Sequence, residues 1–335
     1  MELNTISQSD FTKLAKVIWG KGLESVPKHM RKSGIVKEYP IPQNTGNTRE
    51  FSEIDSEEYA KFKGESDQAA RARTQQGYTK TMYQKRVALD IGISYEMRTQ
   101  NKYPEVIQKL TSLGNQVGNR LELDLSHHIT FATSTSFTDM DGNTVDVSVG
   151  DTLALASSVH TLRGTSTTYR NILANNPRLS KGALEGMERL VVEETLNQFG
   201  EKMSASFDIL WTTDDPNTVN TAKEYLQSTA DVTGSNSAVK NVYMSKYRHA
   251  VLPLVATVAA GTPDTTKRYY WGLASSALSS FYLGIWEEPR LKTPALGTNG
   301  EEFSTDDWNY GARGGYGIAI VGANWFKISL GDGTA

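Results

Sequence analysis

Residues 49–86 are polar and charged, and their two halves carry opposite charge. Residues 49–67 hold seven acids (Glu50, Glu53, Asp55, Glu57, Glu58, Glu65, Asp67) against three bases (Arg49, Lys61, Lys63). Residues 71–86 hold five bases (Arg71, Arg73, Lys80, Lys85, Arg86) and no acid. Phe51, Ile54, Tyr59, Tyr78, Met82, Val87, Leu89, Ile91 and Ile93 fall mostly at alternating positions, which predicts strands over 50–59 and 78–94. The stretch between them, 62–76, is rich in Gly, Ala, Gln and Arg and is expected to be a mobile tip. A long two-armed ribbon with so few aliphatic residues cannot bury itself. It has little reason to project from a domain unless it meets another molecule, and this predicts an assembly subunit.

Around the ribbon the chain has enough apolar residues for a core. Its 335 residues allow two domains, or one with large insertions, and 38% of them are hydrophobic. The net charge of −3 provides no global field toward nucleic acid or membrane. Bases cluster locally instead: residues 13–37 carry Lys13, Lys16, Lys21, Lys28, Arg31, Lys32 and Lys37 against Glu24 alone. The absence of cysteine excludes disulfides, thiolate metal sites and thiol nucleophiles. No apolar run reaches the roughly 18–20 residues that span a bilayer. The longest, 250–260, is interrupted by Pro253. These features predict a soluble intracellular protein with no membrane partner.

Along the chain, Ser9 and Asp10 predict the cap of a helix over 11–19, stopped by Gly20 and Gly22. Residues 23–47 are expected to form an extended arm, anchored by Ile35, Val36, Tyr39 and Ile41. Pro104 opens a long helix, about 104–128, whose stripe of Val106, Leu110, Leu113, Val117, Leu121 and Leu125 repeats at spacings of three and four. Gly114 and Gly118 weaken it locally and suggest a strand crossing close by. A hairpin over 134–149 turns at Asp141-Gly142, and a helix is expected over 152–162. Beyond Leu179, a helical face of Leu184, Met187, Leu190 and Val191 is followed by a strand at 207–211. Asp215-Pro216 predicts a capped helix to about 226. Further strands are expected at 242–244, 269–273 and 281–286, a turn at Asn299-Gly300, and a terminal strand pair at 317–321 and 325–330.

No catalytic or metal constellation emerges. The histidines, His29, His127, His128, His160 and His249, lack ligand spacing, and adjacent His127 and His128 point about 100° apart on a helix. Asp139-Met140-Asp141-Gly142-Asn143 has the glycine two places too early for a calcium loop and no closing glutamate. The glycine-rich stretch 311–317 precedes a strand, whereas phosphate cradles open a helix. No G-x-S-x-G or P-loop motif occurs. The chain is therefore expected to be no enzyme and to need no cofactor.

The order of arm, two-stranded loop, strand, long helix, hairpin, α/β region and terminal strands resembles the major capsid proteins of tailed bacteriophages. Locally the likeness lies in residues 85–97, KRVALDIGISYEM, where a basic arm runs into an apolar strand ending in Ser94-Tyr95-Glu96 and then the spine helix. The resemblance implies an α+β fold of the HK97 type: an N-terminal arm (1–47), an extended loop (48–90), a peripheral domain (91–180 and 310–335) and an axial domain (181–309). It implies an icosahedral shell of copies in hexamers and pentamers, assembled in the host cytoplasm around double-stranded DNA that is touched without sequence reading. Scaffolding, portal and cement proteins are partners the resemblance leaves open. No scaffolding segment precedes the arm, so any scaffold is expected as a separate protein. Relatives that cross-link their shells join a loop lysine to an asparagine; Lys61 and Lys63 lie near the right place but are expected to be solvated charges. Two other readings remain: a nanocompartment shell of the encapsulin type, usually shorter and without a long arm, and a monomeric binding protein or hydrolase with an inserted hairpin.

Overall fold

The computed structural model describes residues 8–42, 45–53, 56–100, 102–231, 239–293 and 307–333. The chain begins with α1 (Gln8–Ser25), α2 (His29–Lys32) and β1 (Val36–Pro40). The ribbon follows as β2 (Thr48–Ser52), β3 (Ser56–Glu57), β4 (Thr74–Gln75) and β5 (Thr79–Tyr83). Next come β6 (Lys85–Ile93), α3 (Tyr95–Thr99) and α4 (Tyr103–Thr130). Two small hairpins are β7 (Ser136–Thr138) with β8 (Thr144–Asp146), and β9 (His160–Thr161) with β10 (Thr168–Tyr169). Then come α5 (Lys181–Glu194), β11 (Ile209–Thr212), α6 (Pro216–Gln227), β12 (Arg248–Val251) and β13 (Trp271–Ala274). The last elements are β14 (Phe281–Lys292), β15 (Trp308–Ile320) and β16 (Phe326–Ser329).

Two four-stranded sheets organise the body. The first has the order β1-β14-β15-β6, with β1 parallel to β14 and the other neighbours antiparallel. The second has the order β12-β11-β13-β16, with β12 parallel to β11. Helix α4 links them. All six residues of its stripe are buried. Val106, Leu110, Leu113 and Val117 pack with Ile93 of β6, Tyr310 of β15 and Phe11, Ala15 and Trp19 of α1. Leu121 and Leu125 enter a larger core with Trp211, Phe281, Trp325 and Phe326. A third cluster sets α5 and α6 against Leu210, Trp271 and Leu273.

Local chemistry accounts for several boundaries. Asp215 caps α6 by accepting from the Thr218 amide at 3.0 Å, and Ser180 caps α5 by accepting from the Ala183 amide at 3.2 Å. Gly142 turns the β7–β8 hairpin with φ +81°.

Elsewhere the tertiary structure overrides the sequence pattern. Helix α1 does not stop at Gly20 and Gly22 but runs to Ser25, because it packs along α4. The glycines permit that approach. A Cβ on Gly22 would lie 2.5 Å from the Thr111 carbonyl, and one on Gly114 2.5 Å from the Trp19 carbonyl. Gly118 faces Val26, so the neighbour of Gly114 and Gly118 is a helix and not the crossing strand expected. The arm over 23–47 is not simply extended: α2 follows α1, and β1 joins the first sheet. The helix expected over 152–162 is absent. The turn at 149–152 places Thr152 at φ +66°, the Leu153 amide bonds back to Asp151, and β9 begins at His160. Residues 242–244 lie in turns, not a strand, and 250–260 holds the end of β12 and a 3-10 turn.

The terminal strands are not a pair, since β15 joins the first sheet and β16 the second. The two sheets therefore cross the expected division at 181–309: β14 lies with the spine-helix sheet, while β16 lies with β11 and β13. Likewise the loop expected over 48–90 ends with β5. Lys85 and Arg86 belong to β6, paired along its length to β15. Ile54, Asp55 and the Asn299-Gly300 turn lie outside the described residues.

Candidate assembly surface

The ribbon is a two-part antiparallel ladder. In the first part β2 pairs with β5, Thr48 opposite Tyr83 and Ser52 opposite Thr79; in the second, β3 pairs with β4. Its charged halves scarcely neutralise each other in this register. Glu50 faces Thr81 and Arg49 faces Met82, so strand pairing brings no acid against a base there. The halves meet beyond Glu57 of β3, where Arg73 Nε donates to Glu58 at 2.7 Å and Lys61 lies 3.5 Å from the same carboxylate. The Arg73 hydrogen bond holds the Glu58 carboxyl below the usual carboxylate range.

The root of the ribbon is fixed to the outer face of the first sheet. Ile41, Met82, Trp286 and Ala319 form a small buried cluster, and Phe51 stacks on Tyr282 with ring centres 4.5 Å apart. Glycines make room for it, since a Cβ on Gly284 or Gly317 would fall within 2.6–2.7 Å of Met82 atoms. Further out, Lys80 Nζ donates to Asp146 at 2.6 Å and to Ser148 at 2.8 Å. Arg163 donates to the Gly77 carbonyl at 2.8 Å. Glu53 turns inward and accepts from Gln198 Nε2 at 2.8 Å. Burial raises the Glu53 carboxyl above its ordinary value.

A turn at 197–202 receives the outer part of the ribbon. The Tyr59 amide donates to the Glu201 carboxylate at 3.2 Å, its hydroxyl donates to the Lys202 carbonyl, and Arg73 lies 5.6 Å above the Phe199 ring. Sequence reasoning missed this turn. Asn197 and Gly200 carry an ordinary turn signature, but nothing local links them to Tyr59, which is 142 positions from Glu201 in sequence. Beyond it the tip is bare. Residues 59–74 are all exposed, and Phe62 is fully so, at 108% of its reference area. Lys63, Glu65, Asp67 and Arg71 form no ion pair within the chain among the described residues.

The basic residues near the N-terminus are scattered rather than gathered. Lys21 and Lys32 are exposed and Lys28 is half-buried. Arg31 holds Glu38 through two hydrogen bonds of 2.6 and 2.7 Å, and Lys37 donates to the Ala277 carbonyl at 3.1 Å. Lys85 lies in a recess with Asp124, His128, Asp146 and Tyr316.

The histidines on α4 are structural. Burial pushes both His127 and His128 down to about 4. Among the described residues, no group of three or more His, Asp or Glu side chains could hold a metal ion, and no helix is long and apolar enough to cross a membrane.

No protein-family model matches the chain, and neither does any curated protein sequence. Solved structures do. The capsid of Ralstonia phage GP4 is similar with a TM-score of 0.50 at 11% identity, over 89% of this chain and 87% of that one. The chain has the fold of a bacteriophage capsid protein. Gordonia phage Cozz gives a TM-score of 0.49 at 13% identity, covering 88% of this chain and 84% of that one. A virus-like particle from Pyrococcus furiosus gives 0.48 at 10% identity, covering 94% and 97%.

Proposed function

We propose that this chain is the structural major capsid protein of a tailed bacteriophage, and that copies of it assemble into the icosahedral shell around the genome. The reading is carried by the ribbon: on a capsid fold, its tip leaves Phe62 exposed, and Lys63, Glu65, Asp67 and Arg71 exposed with no ion pair among the described residues. Exposed ion pairs contribute roughly 0–1 kcal/mol each. A shell repeats every such contact around each subunit, and linked weak contacts multiply in strength. Assembly therefore requires no strong single interface and no catalytic step.

In this reading, residues 1–47 form the arm, the ribbon is the inter-subunit loop, the α4 region is peripheral, and the α5–α6 region meets its copies around hexamer and pentamer centres. The exposed bases of the arm, Lys21 and Lys32 among them, are shared between acidic patches of a neighbouring copy and the packaged double-stranded DNA, whose phosphates they contact without reading bases. Lys61 and Lys63 are both exposed and act as solvated charges, so the shell is held non-covalently and runs as one band near 36.9 kDa on a denaturing gel.

Negative-stain microscopy of the expressed chain tests the reading, with closed shells expected. Deletion of residues 61–76 should leave a folded protein that does not assemble. A chain that remains monomeric under all assembly conditions, eluting near 36.9 kDa, would overturn the proposal.

A further inference from the structure

The turn at 197–202 has a frame of its own, independent of the ribbon it touches. The Asn197 side-chain oxygen accepts from the amides of Phe199 and Glu201, at 3.0 and 2.9 Å, and the Asn197 amide donates to the Glu201 carbonyl at 2.8 Å. Gly200 closes the turn at φ +81°, in the left-handed region that favours glycine. Leu196 and Lys202 bridge its ends. The body grips it from two further sides. Asn324 donates to the Leu196 carbonyl. The Arg163 amide donates to the Gln198 side-chain oxygen at 2.9 Å, and the Gly164 amide to the Gln198 carbonyl at 3.0 Å.

The outer half of the ribbon has no such frame. Its ladder there is β3 with β4, two residues each. An isolated two-stranded ribbon is marginal in water, so this half cannot hold one direction unaided.

The turn touches both arms. On the acidic arm, Gln198 Nε2 donates to Glu53 at 2.8 Å, the Tyr59 amide donates to the Glu201 carboxylate at 3.2 Å, and the Tyr59 hydroxyl donates to the Lys202 carbonyl. On the basic arm, Arg73 lies 5.6 Å above the Phe199 ring. The same asparagine that folds the turn also positions the acceptor for the ribbon, since Asn197 Nδ2 donates to the Glu201 carboxylate at 2.8 Å. A contact on one arm alone would leave a hinge. Contacts on both arms, at separate heights, leave one direction.

We propose that the turn at 197–202 aims the ribbon: it stays on both arms of its own chain in the assembled particle, so that the tip leaves every subunit in the same direction. The inference rests on the shell reading and names the element that sets where the inter-subunit loop points. Ordering a flexible segment at the moment of binding weakens association. A ribbon already held by its own chain has been ordered during folding, and a shell repeats that effect at every subunit. The contacts at Tyr59 and Arg73 are exposed and individually weak, so they act on direction rather than on the stability of the fold.

The chain has no cysteine, so introduced thiols are unique. Particles of Tyr59→Cys/Lys202→Cys are treated with a short bis-maleimide, run on a denaturing gel, and digested for mass spectrometry. Monomers in which the two cysteine peptides are joined within one chain are expected. Joined peptides confined to multimer bands, or two thiols capped without a link, would show that the ribbon has left the turn, and would overturn the proposal.

A second variant covers the case in which the cysteine chain forms no particles. Glu201→Ala/Tyr59→Phe removes the acceptor and the hydroxyl. It should leave the denaturant midpoint unchanged, speed hydrogen exchange at the residue 59 amide, and lower the yield of closed particles at least fivefold. Glu201→Gln, whose side-chain oxygen still accepts from that amide, should keep the wild-type yield. Wild-type or higher yield from Glu201→Ala/Tyr59→Phe would overturn the proposal, because the turn would then be dispensable or a brake on the ribbon. A midpoint that falls together with the yield would also overturn it, by assigning the turn a role in folding alone. Failure of the unmodified chain to form any particle is a separate result: it overturns the shell reading first, and the aiming with it.

Discussion

The α1–α4 contact and the ribbon are held by opposite means. Helix α1 meets α4 through Phe11, Ala15 and Trp19, all buried, and through glycines that let the two backbones touch. Beyond its root, the ribbon meets the body through scattered polar contacts, Lys80 with Asp146 and Ser148, Arg163 with Gly77, and hydrogen bonds and an arginine over a ring at the turn 197–202, and its tip touches little. Apolar burial contributes about 25 cal/mol per Å² and needs no partner chain. Exposed polar contacts contribute roughly 0–1 kcal/mol each. The helix pair is thus complete within one chain, whereas the tip of the ribbon is left to whatever covers it.

The sharpest way to break this comparison is to cut into both regions. Leu113→Ala should cost about 2–5 kcal/mol in denaturant unfolding, because Leu113 is buried between α1 and α4. Phe62→Ala should leave the same measurement unchanged while lowering particle yield. Equal stability losses from the two would erase the distinction.

Acid separates the regions further. His128 is held at about 4 by burial, below the 6.5 of a free imidazole. Its contribution to stability is present above pH 6.5 and is lost as pH falls from there toward 4, roughly 3 kcal/mol in all. His127 acts in the same direction. Glu53 at the ribbon acts in the opposite sense. Its carboxyl is raised by burial, so its contribution is present below its unfolded value of 4.5 and declines as pH rises through the folded value. Hydrogen exchange between pH 7 and 4.5 should show α4 losing protection relative to the amide of Glu53, which bonds the Tyr78 carbonyl. A parallel decline in both would contradict this.

A smaller effect probes the close approach of the helices. Gly114→Ala improves helix propensity by about 1 kcal/mol, but its Cβ would meet the Trp19 carbonyl. The net change should be a loss of about 1–3 kcal/mol in thermal or denaturant unfolding. A stabilised variant would mean that α1 is not seated on α4 in solution. The smallest effect belongs to the ribbon: Arg73→Ala removes the solvent-exposed Glu58 contact and should leave the denaturant midpoint unchanged. A lowered midpoint would show that the ribbon is finished within one chain after all.

The sequence by itself determined whatever is encoded at short range. The stripe from Val106 to Leu125 specifies one long helix, because its 3.6-residue period suits a helix, although only the tertiary structure buries its last turns, from Leu121 to Thr130, on nearly every side. The Asp215 cap and the Gly142 turn are likewise local, and the charge-split ribbon is visible from composition alone. Tertiary structure decided which distant segments pair. Gly20 and Gly22 look like a helix stop until α4 makes Gly22 a point of contact. Strands β15 and β16 look like a hairpin until each finds a better neighbour, β15 between β14 and β6 and β16 beside β13. Glu53 and Glu58 look alike as acids on one arm, yet Gln198 takes the first inside and Arg73 holds the second at the surface. Periodicity and capping act over a few residues and are written in order along the chain. The choice of partner is made by packing across more than a hundred positions, and no local pattern records it.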